Sequence, residues 1–353
     1  MRRAVRLLFS AVLGSAAMMT GSPASAETGY TITDLGTLGG EWTRARGINA
    51  AGDVVGTSAL STAGSHAVRW KGGLMTAIHA IGGLSSEGLA ISDDGWVVGS
   101  AQRSDSWPEA FWWAGTDPHP IGTLGGLWSE AYAINDTHQI VGRSLDTTGQ
   151  VEAFLWEGGT MHALGSLGPN TFSDAYGIND AGVVVGESGT ADGFTHAFSY
   201  ANGVMTDLGT PSPNFAGSFA RDINDAGTIV GGVLVEGSYA VHPFIRAADG
   251  TWDVITEVIG YAEAVNENGA IVGSFFDDHP ERAFLFHDGA VTDLNTAIPA
   301  AEGWELAVAS DINDRGQIVG EGFHDGAVRG FLLDATRIAA DVGVSVTASP
   351  DPV

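Results

Sequence analysis

Cysteine is absent from the 353 residues, and lysine occurs once, at position 71. Without cysteine no disulfide can brace the fold, and thiol nucleophiles and thiolate metal sites are excluded. Fifteen Lys and Arg stand against 42 Asp and Glu, a formal charge of −27. Nucleic acid and anionic membranes are bound through clustered Lys and Arg, so neither is an expected partner. A glycan or an extracellular protein suits this composition better. Also missing are a Gly-x-Ser-x-Gly elbow, a His-Glu-x-x-His zinc helix and a phosphate-cradling glycine loop. No cofactor or resident metal is expected, no catalytic residue stands out, and the residues favour binding over catalysis.

Long apolar runs are missing after the first 26 residues. Those 26 read as an export signal: Arg2, Arg3 and Arg6, an apolar stretch over 7–19, then Ala24-Ser25-Ala26. The stretch is short for a membrane anchor, which needs about 20 apolar residues. Cleavage would leave 12 basic and 42 acidic residues in an extracellular chain. No membrane association is expected after cleavage, and a monomer is expected.

What the chain has in abundance is glycine, 51 residues, much of it in a repeat. The pattern Ile-Asn-x-x-Gly-x-Val-Val-Gly recurs around Asn49, Ser92 (a substitution), Asn135, Asn179, Asn224, Asn266 and Asn313. Seven copies of about 44 residues match the length of a four-stranded propeller blade. Val, Ile and Gly in two-residue alternation argue against a helical repeat. In the fourth copy the strands fall at 175–179, 183–187, 196–200 and 204–208. The reading is an all-β, seven-bladed β-propeller over 27–338, with a disordered tail over 339–353. Asn-x-x-Gly is read as a turn, with Asn capping it and Gly supplying positive φ. The small residues Ala45, Ala131, Ala175, Ala220, Ala262 and Ala309 are expected to let innermost strands approach near the axis.

The seventh copy lacks a fourth strand, whereas residues 30–35 form an orphan fourth strand at the other end. The N-terminal strand should therefore close the last blade.

The phrases Asp-Leu-Gly-Thr-Leu-Gly-Gly (34–40), Gly-Ile-Asn-Asp-Ala-Gly-Val-Val-Val-Gly (177–186) and His196-Ala197-Phe198 resemble the bacterial extracellular repeat family named after its His-Ala-Phe (HAF) triplet. The resemblance covers nearly all of the chain after residue 26 and implies an exported repeat protein of no particular activity. The first triplet position varies here, as in Glu109-Ala110-Phe111 and Arg282-Ala283-Phe284, which favours a structural role at the strand start over a shared ligand.

The loops before the first and third strands of each blade are the longer ones and should share a face. Aromatic residues gather there: Trp42, Trp128 and Phe172, each seven residues before its blade's Asn, with Trp107, Phe194, Phe275, Phe276 and Trp304 in other loops. They suit either the packing of blade gaps or the stacking of sugar rings. The polar loop around Asp277, Asp278 and His279 is a further candidate contact, although a solvated acidic loop explains it as well. Two alternatives stay open beside a binding or scaffolding module: a carbohydrate-active or other hydrolase or lyase on a propeller scaffold, and a structural surface protein.

Overall fold

The structure, a computed structural model, describes residues 29–276 and 281–336. The expected signal and tail lie outside these residues, as do Asp277, Asp278 and His279. The described residues form seven four-stranded antiparallel sheets, arranged in a ring as a seven-bladed β-propeller. Blade four runs Ser173–Ile178, Val184–Gly189, Thr195–Ala201 and Val204–Gly209, within a few residues of the sequence reading. Antiparallel order puts the first-to-second and third-to-fourth turns of every blade on one face. The longer loops lie on the other.

The ring closes as expected. Gly29–Asp34 pairs with Ala327–Thr336, Gly29 opposite Thr336 and Asp34 opposite Phe331. Tyr30 is buried in the core shared by blades six and seven. The edge that the last blade would otherwise expose is thereby paired.

Each residue of the repeat has a physical task. The Asn caps its turn, as where Asn179 Oδ1 accepts the Val183 N–H at 2.9 Å. Its amide does something the turn reading missed. Asn49 Nδ2 donates to the Ser92 carbonyl, Asn135 to Asn179, Asn179 to Asn224, Asn224 to Asn266, Asn266 to Asn313, and Asn313 back to Asn49, all at 3.0–3.2 Å. Only Ser92, which has no amide, fails to reach its neighbour Asn135 this way. A second ring runs beside it, in which the backbone N–H of the next residue donates to an acid one blade on. Ala50 binds Asp93, Asp136 binds Asp180, and Glu267 binds Asp314, at 2.8–2.9 Å.

The glycine that ends Val-Val-Gly is forced by crowding. The first strand bulges opposite it, and a Cβ on Gly186 would lie 1.9 Å from the Asp174 carbonyl oxygen. Blade three repeats this, with Gly142 at 2.0 Å from the Glu130 oxygen. No side chain fits at either position.

The His-Ala-Phe triplet is also structural. The Phe residues, such as Phe111, Phe154 and Phe198, are wholly buried. The Ala N–H donates into the next blade: Ala67 to Ser86, Ala110 to Ser129, Ala153 to Ser173 and Ala197 to Ser218, at 2.8–3.0 Å. Each serine passes its own proton back to the earlier blade, Ser129 to the Gly122 carbonyl at 2.6 Å for example. Pro243 has no N–H to offer, and blade six carries Gly260 where the serine would stand. In blades four and six the first triplet residue pairs with the fourth-strand acid eleven residues on, His196 with Asp207 and Arg282 with Asp293, whereas His66 of blade one meets His79.

The small alanines sit differently from the expectation. Ala131 packs sideways against Val98 and Ala110 of blade two, and Ala175 against Val141 and Ala153 of blade three. They let blade faces stack, while the next residue along the strand faces the axis.

Blades five and seven add a further connection. Asp222 accepts from Ile223 and from Val265 one blade on, and Asp311 from Ile312 and from Ile48 across the closure, at 2.7–2.9 Å. Burial pushes the Asp311 carboxyl up to about 7, with the charge of Asp222 adding to the effect.

Four outcomes test this account. Removing residues 27–40 should lower the melting temperature of the whole domain, since it opens the last blade. Ser92→Asn should raise stability by about 1 kcal/mol by supplying the missing amide, and Asn313→Ala should lower it by about 1–3 kcal/mol. A carboxyl with a raised folded pKa holds its proton more tightly when folded. Its contribution is complete below the unfolded value of about 3.9 and is lost as pH climbs through the folded one. The melting temperature of Asp311→Asn relative to the parent should therefore move in the variant's favour between pH 5 and pH 8; a constant difference would mean that the carboxyl titrates in its ordinary range.

Candidate functional site

Aligning the repeats on their Asn picks out one channel-facing position. It lies three residues before the Asn, on the first strand, where the bulge turns the side chain toward the axis. Its seven occupants are Arg46, Leu89, Tyr132, Tyr176, Arg221, Glu263 and Ser310, and all seven line one cavity of about 530 Å³. The cavity fills the central channel, with Phe276 and Glu281 from the long-loop side also on its wall. Its size is that of a small-molecule site.

The wall has two sides. Blades five, six, seven and one contribute Arg221, Glu263, Ser310 and Arg46. Blades two, three and four contribute Leu89, Tyr132 and Tyr176. The tyrosines form part of a stacked series: Tyr132 and Tyr176 lie 5.2 Å apart, the Arg221 guanidinium is 4.4 Å from Tyr176, and the Arg143 guanidinium is 5.5 Å from Tyr132. Cation–π contacts of this kind contribute about 0.5–2 kcal/mol each and hold the rings in place.

Each tyrosine hydroxyl donates to a carboxylate, Tyr132 to Glu130 at 2.7 Å and Tyr176 to Glu187 at 2.9 Å. Burial, reinforced by those carboxylates, raises both phenols above their ordinary value. Burial also lifts Asp174 to about 6, against the opposing pull of Arg143. Glu263 is raised by burial although Arg221 and Arg46 both favour its charged form. The channel thus holds one carboxyl, Glu263, that carries a proton more readily than a surface carboxyl does, and Asp174 lies behind its wall. Among the described residues, Arg221 Nε and Ser310 Oγ on this wall are buried without a hydrogen-bond partner. Polar atoms left so in an open cavity are positioned to meet a ligand or water.

The aromatic residues picked from the sequence lie on the long-loop side; Phe276 lines this cavity, whereas Trp42, Trp107, Trp128, Phe172 and Trp304 do not. Trp42 and Trp128 are half-buried, with the guanidinium groups of Arg44 and Arg143 over their rings at 5.3 and 5.4 Å. Trp304 stacks on His324 at 4.5 Å and meets Phe331 edge-on, so it serves the blade-seven core. Trp107 and Phe172 are exposed at the rim. The seven strand residues of the channel wall escaped the sequence reading. Their signal was present, as one strand position that carries five residue types over seven blades while its neighbours repeat.

No protein-family model and no curated protein sequence matches the chain. Solved structures do match, at low identity. The β-propeller domain of the Trilobed protease from Pyrococcus furiosus, described as having an open velcro topology, is 12% identical with a TM-score of 0.53, covering 84% of this chain and 94% of that one. A puromycin-hydrolyzing peptidase from Mycobacterium tuberculosis is 11% identical with a TM-score of 0.56 over 89% of this chain, which spans 55% of the peptidase. The six-bladed fucose-recognising lectin of Aleuria aurantia aligns with a TM-score of 0.39 at 11% identity, covering 76% of this chain and 96% of the lectin, a likeness too loose to argue from. These similarities show the propeller fold and nothing of what this chain binds.

Proposed function

We propose that this chain is an exported binding propeller of the HAF-repeat type, which takes one hydroxyl-rich ligand, a glycan, at the long-loop mouth of its central channel. The observation that carries the reading is the contrast between the repeats. Asn, Gly, Ser, Ala and Phe recur for blade packing, yet the channel position bears Arg, Leu, Tyr, Tyr, Arg, Glu and Ser. A protein that only needed a closed ring would gain nothing from such a set. A site made of five residue types in no repeating order recognises one asymmetric molecule, rather than one copy per blade. Arginines and carboxyls supply directional hydrogen bonds to hydroxyls, and the opposing Tyr and Leu arc supplies apolar surface. The leader-like residues 1–26 support placement outside the cell.

A second reading, hydrolysis or elimination on the same ligand, is favoured by one specific feature. Tyr132 with Glu130, and Tyr176 with Glu187, pair a hydroxyl with a carboxylate beside Asp174, whose pKa near 6 suits proton transfer near neutrality.

Both readings are tested by a glycan array probed with the chain from residue 27. Binding should be lost by about tenfold or more in Arg46→Ala, with the melting temperature unchanged. Loss in a Trp42→Ala/Trp128→Ala double variant but not in Arg46→Ala would move the site from the channel to the rim. Release of reducing ends or of an unsaturated sugar from a bound glycan would convert the binding module into an enzyme.

A further inference from the structure

Beside the channel, on the rim between blades two and three, lies a second cavity of about 210 Å³. Its wall includes Ser85, Glu87, Ser100, Gln102, Ser106 and Glu130. Gln102 is already committed, accepting the Leu84 N–H at 2.9 Å and donating to the Ser106 carbonyl at 3.3 Å. The side-chain oxygens of Glu87, Ser100 and Ser106 make no hydrogen bond to any described residue, which leaves two hydroxyls and a carboxylate free for a ligand.

Apolar side chains stand around the same rim. Leu84 is 65% exposed, Leu127 50% and Trp107 43%. Trp107 sits between Ser106 and Pro108, which both line the cavity, and its loop is held firmly. Its N–H donates to Asp105 and its carbonyl accepts from Arg103. The Arg103 guanidinium grips Asp105 through two bonds, at 3.2 and 2.7 Å, and reaches the Leu127 carbonyl of blade three. Ser106 is placed in the left-handed region, at φ +73°, a conformation a serine adopts only where surrounding contacts hold it.

We infer that this rim cavity is a second sugar subsite, so that the ligand of the channel is an oligosaccharide chain with one unit in the channel mouth and a neighbouring unit between blades two and three. The inference rests on the channel reading and specifies the ligand further. Glu130 joins the two places. Its carboxylate lines the rim cavity and also accepts from Tyr132 of the channel wall. A hydroxyl-lined hollow whose lining residues adjoin the exposed Trp107 and Leu84 in the chain offers both kinds of contact that a sugar ring makes, polar at its edge and apolar on its C–H faces. Glu130 is ion-paired with Arg143 at 2.8 Å, so Glu87 supplies the hollow's uncompensated negative charge, which selects a neutral or amino sugar and disfavours a uronic acid.

The experiment is calorimetric titration with glucose, xylose and N-acetylglucosamine oligomers of one to six units. Affinity for one series should climb with length and then level off. Trp107→Ala, an exposed residue whose loss should leave the fold intact, should remove about tenfold of the gain from length while leaving monomer binding unchanged. Glu87→Gln should reduce the same gain, and Arg46→Ala should weaken monomer and oligomer alike. A length dependence unaltered in both Trp107→Ala and Glu87→Gln overturns the rim subsite but leaves the channel site standing. Absence of binding by every oligomer in the parent overturns the channel reading, and the subsite with it.

Discussion

Seven sheets that each bury both faces against a neighbour must still be held in register around an axis, and no disulfide is present to do it. The side-chain amide of one asparagine in each of six blades does this work. Each Asn makes two kinds of bond at once, its oxygen closing its own turn and its nitrogen crossing to the next blade. Because Asn313 returns to Asn49, the ring of amides crosses the place where the chain itself is discontinuous. Both requirements fall on a group that donates and accepts at adjacent atoms, which Asp and Ser cannot match. The carboxylates of the outer ring, from Asp93 to Asp314, are tied up the same way. Part of the excess negative charge is thus structural and is distributed around the axis by the repeat itself.

That arrangement explains which parts of the molecule could be read in advance. The blade count, the four strands and the closing strand at 29–34 follow from periodic glycine, valine and asparagine, whose tasks are local or repeated identically. The turn glycine and the buried Phe of the triplet are legible for the same reason. The second role of the Asn was not, because a bond to the next blade leaves no trace in any single copy. The expectation that the alanines let strands approach near the axis failed for a related cause. The bulge at each first strand shifts the alternation by one residue, so Ala45 faces a neighbouring blade and Arg46 faces the channel.

The site was less legible than the fold. Aromatic residues draw notice in a sequence, and Trp42, Trp107, Trp128 and Phe172 do lie on the long-loop side. Trp304, however, is absorbed by the core. The channel groups are ordinary residues whose meaning depends on convergence from seven blades about 44 residues apart, and on a bulge that points them inward. Packing positions and channel-facing positions are accordingly separate. A residue such as Ser129 or Gly142 is fixed by what packs on it, whereas Leu89 and Ser310 occupy a channel-facing position whose residue type varies around the ring.

The closing strand carries a consequence for how the molecule is presented. Gly29 and Thr336 lie side by side at the outer edge of blade seven, and both strands have that end on the short-turn face. Polypeptide preceding the one or following the other sets out from the side opposite the long loops. Anything that anchored the chain by either terminus would therefore leave the channel mouth and its rim turned outward, unobstructed by the tether.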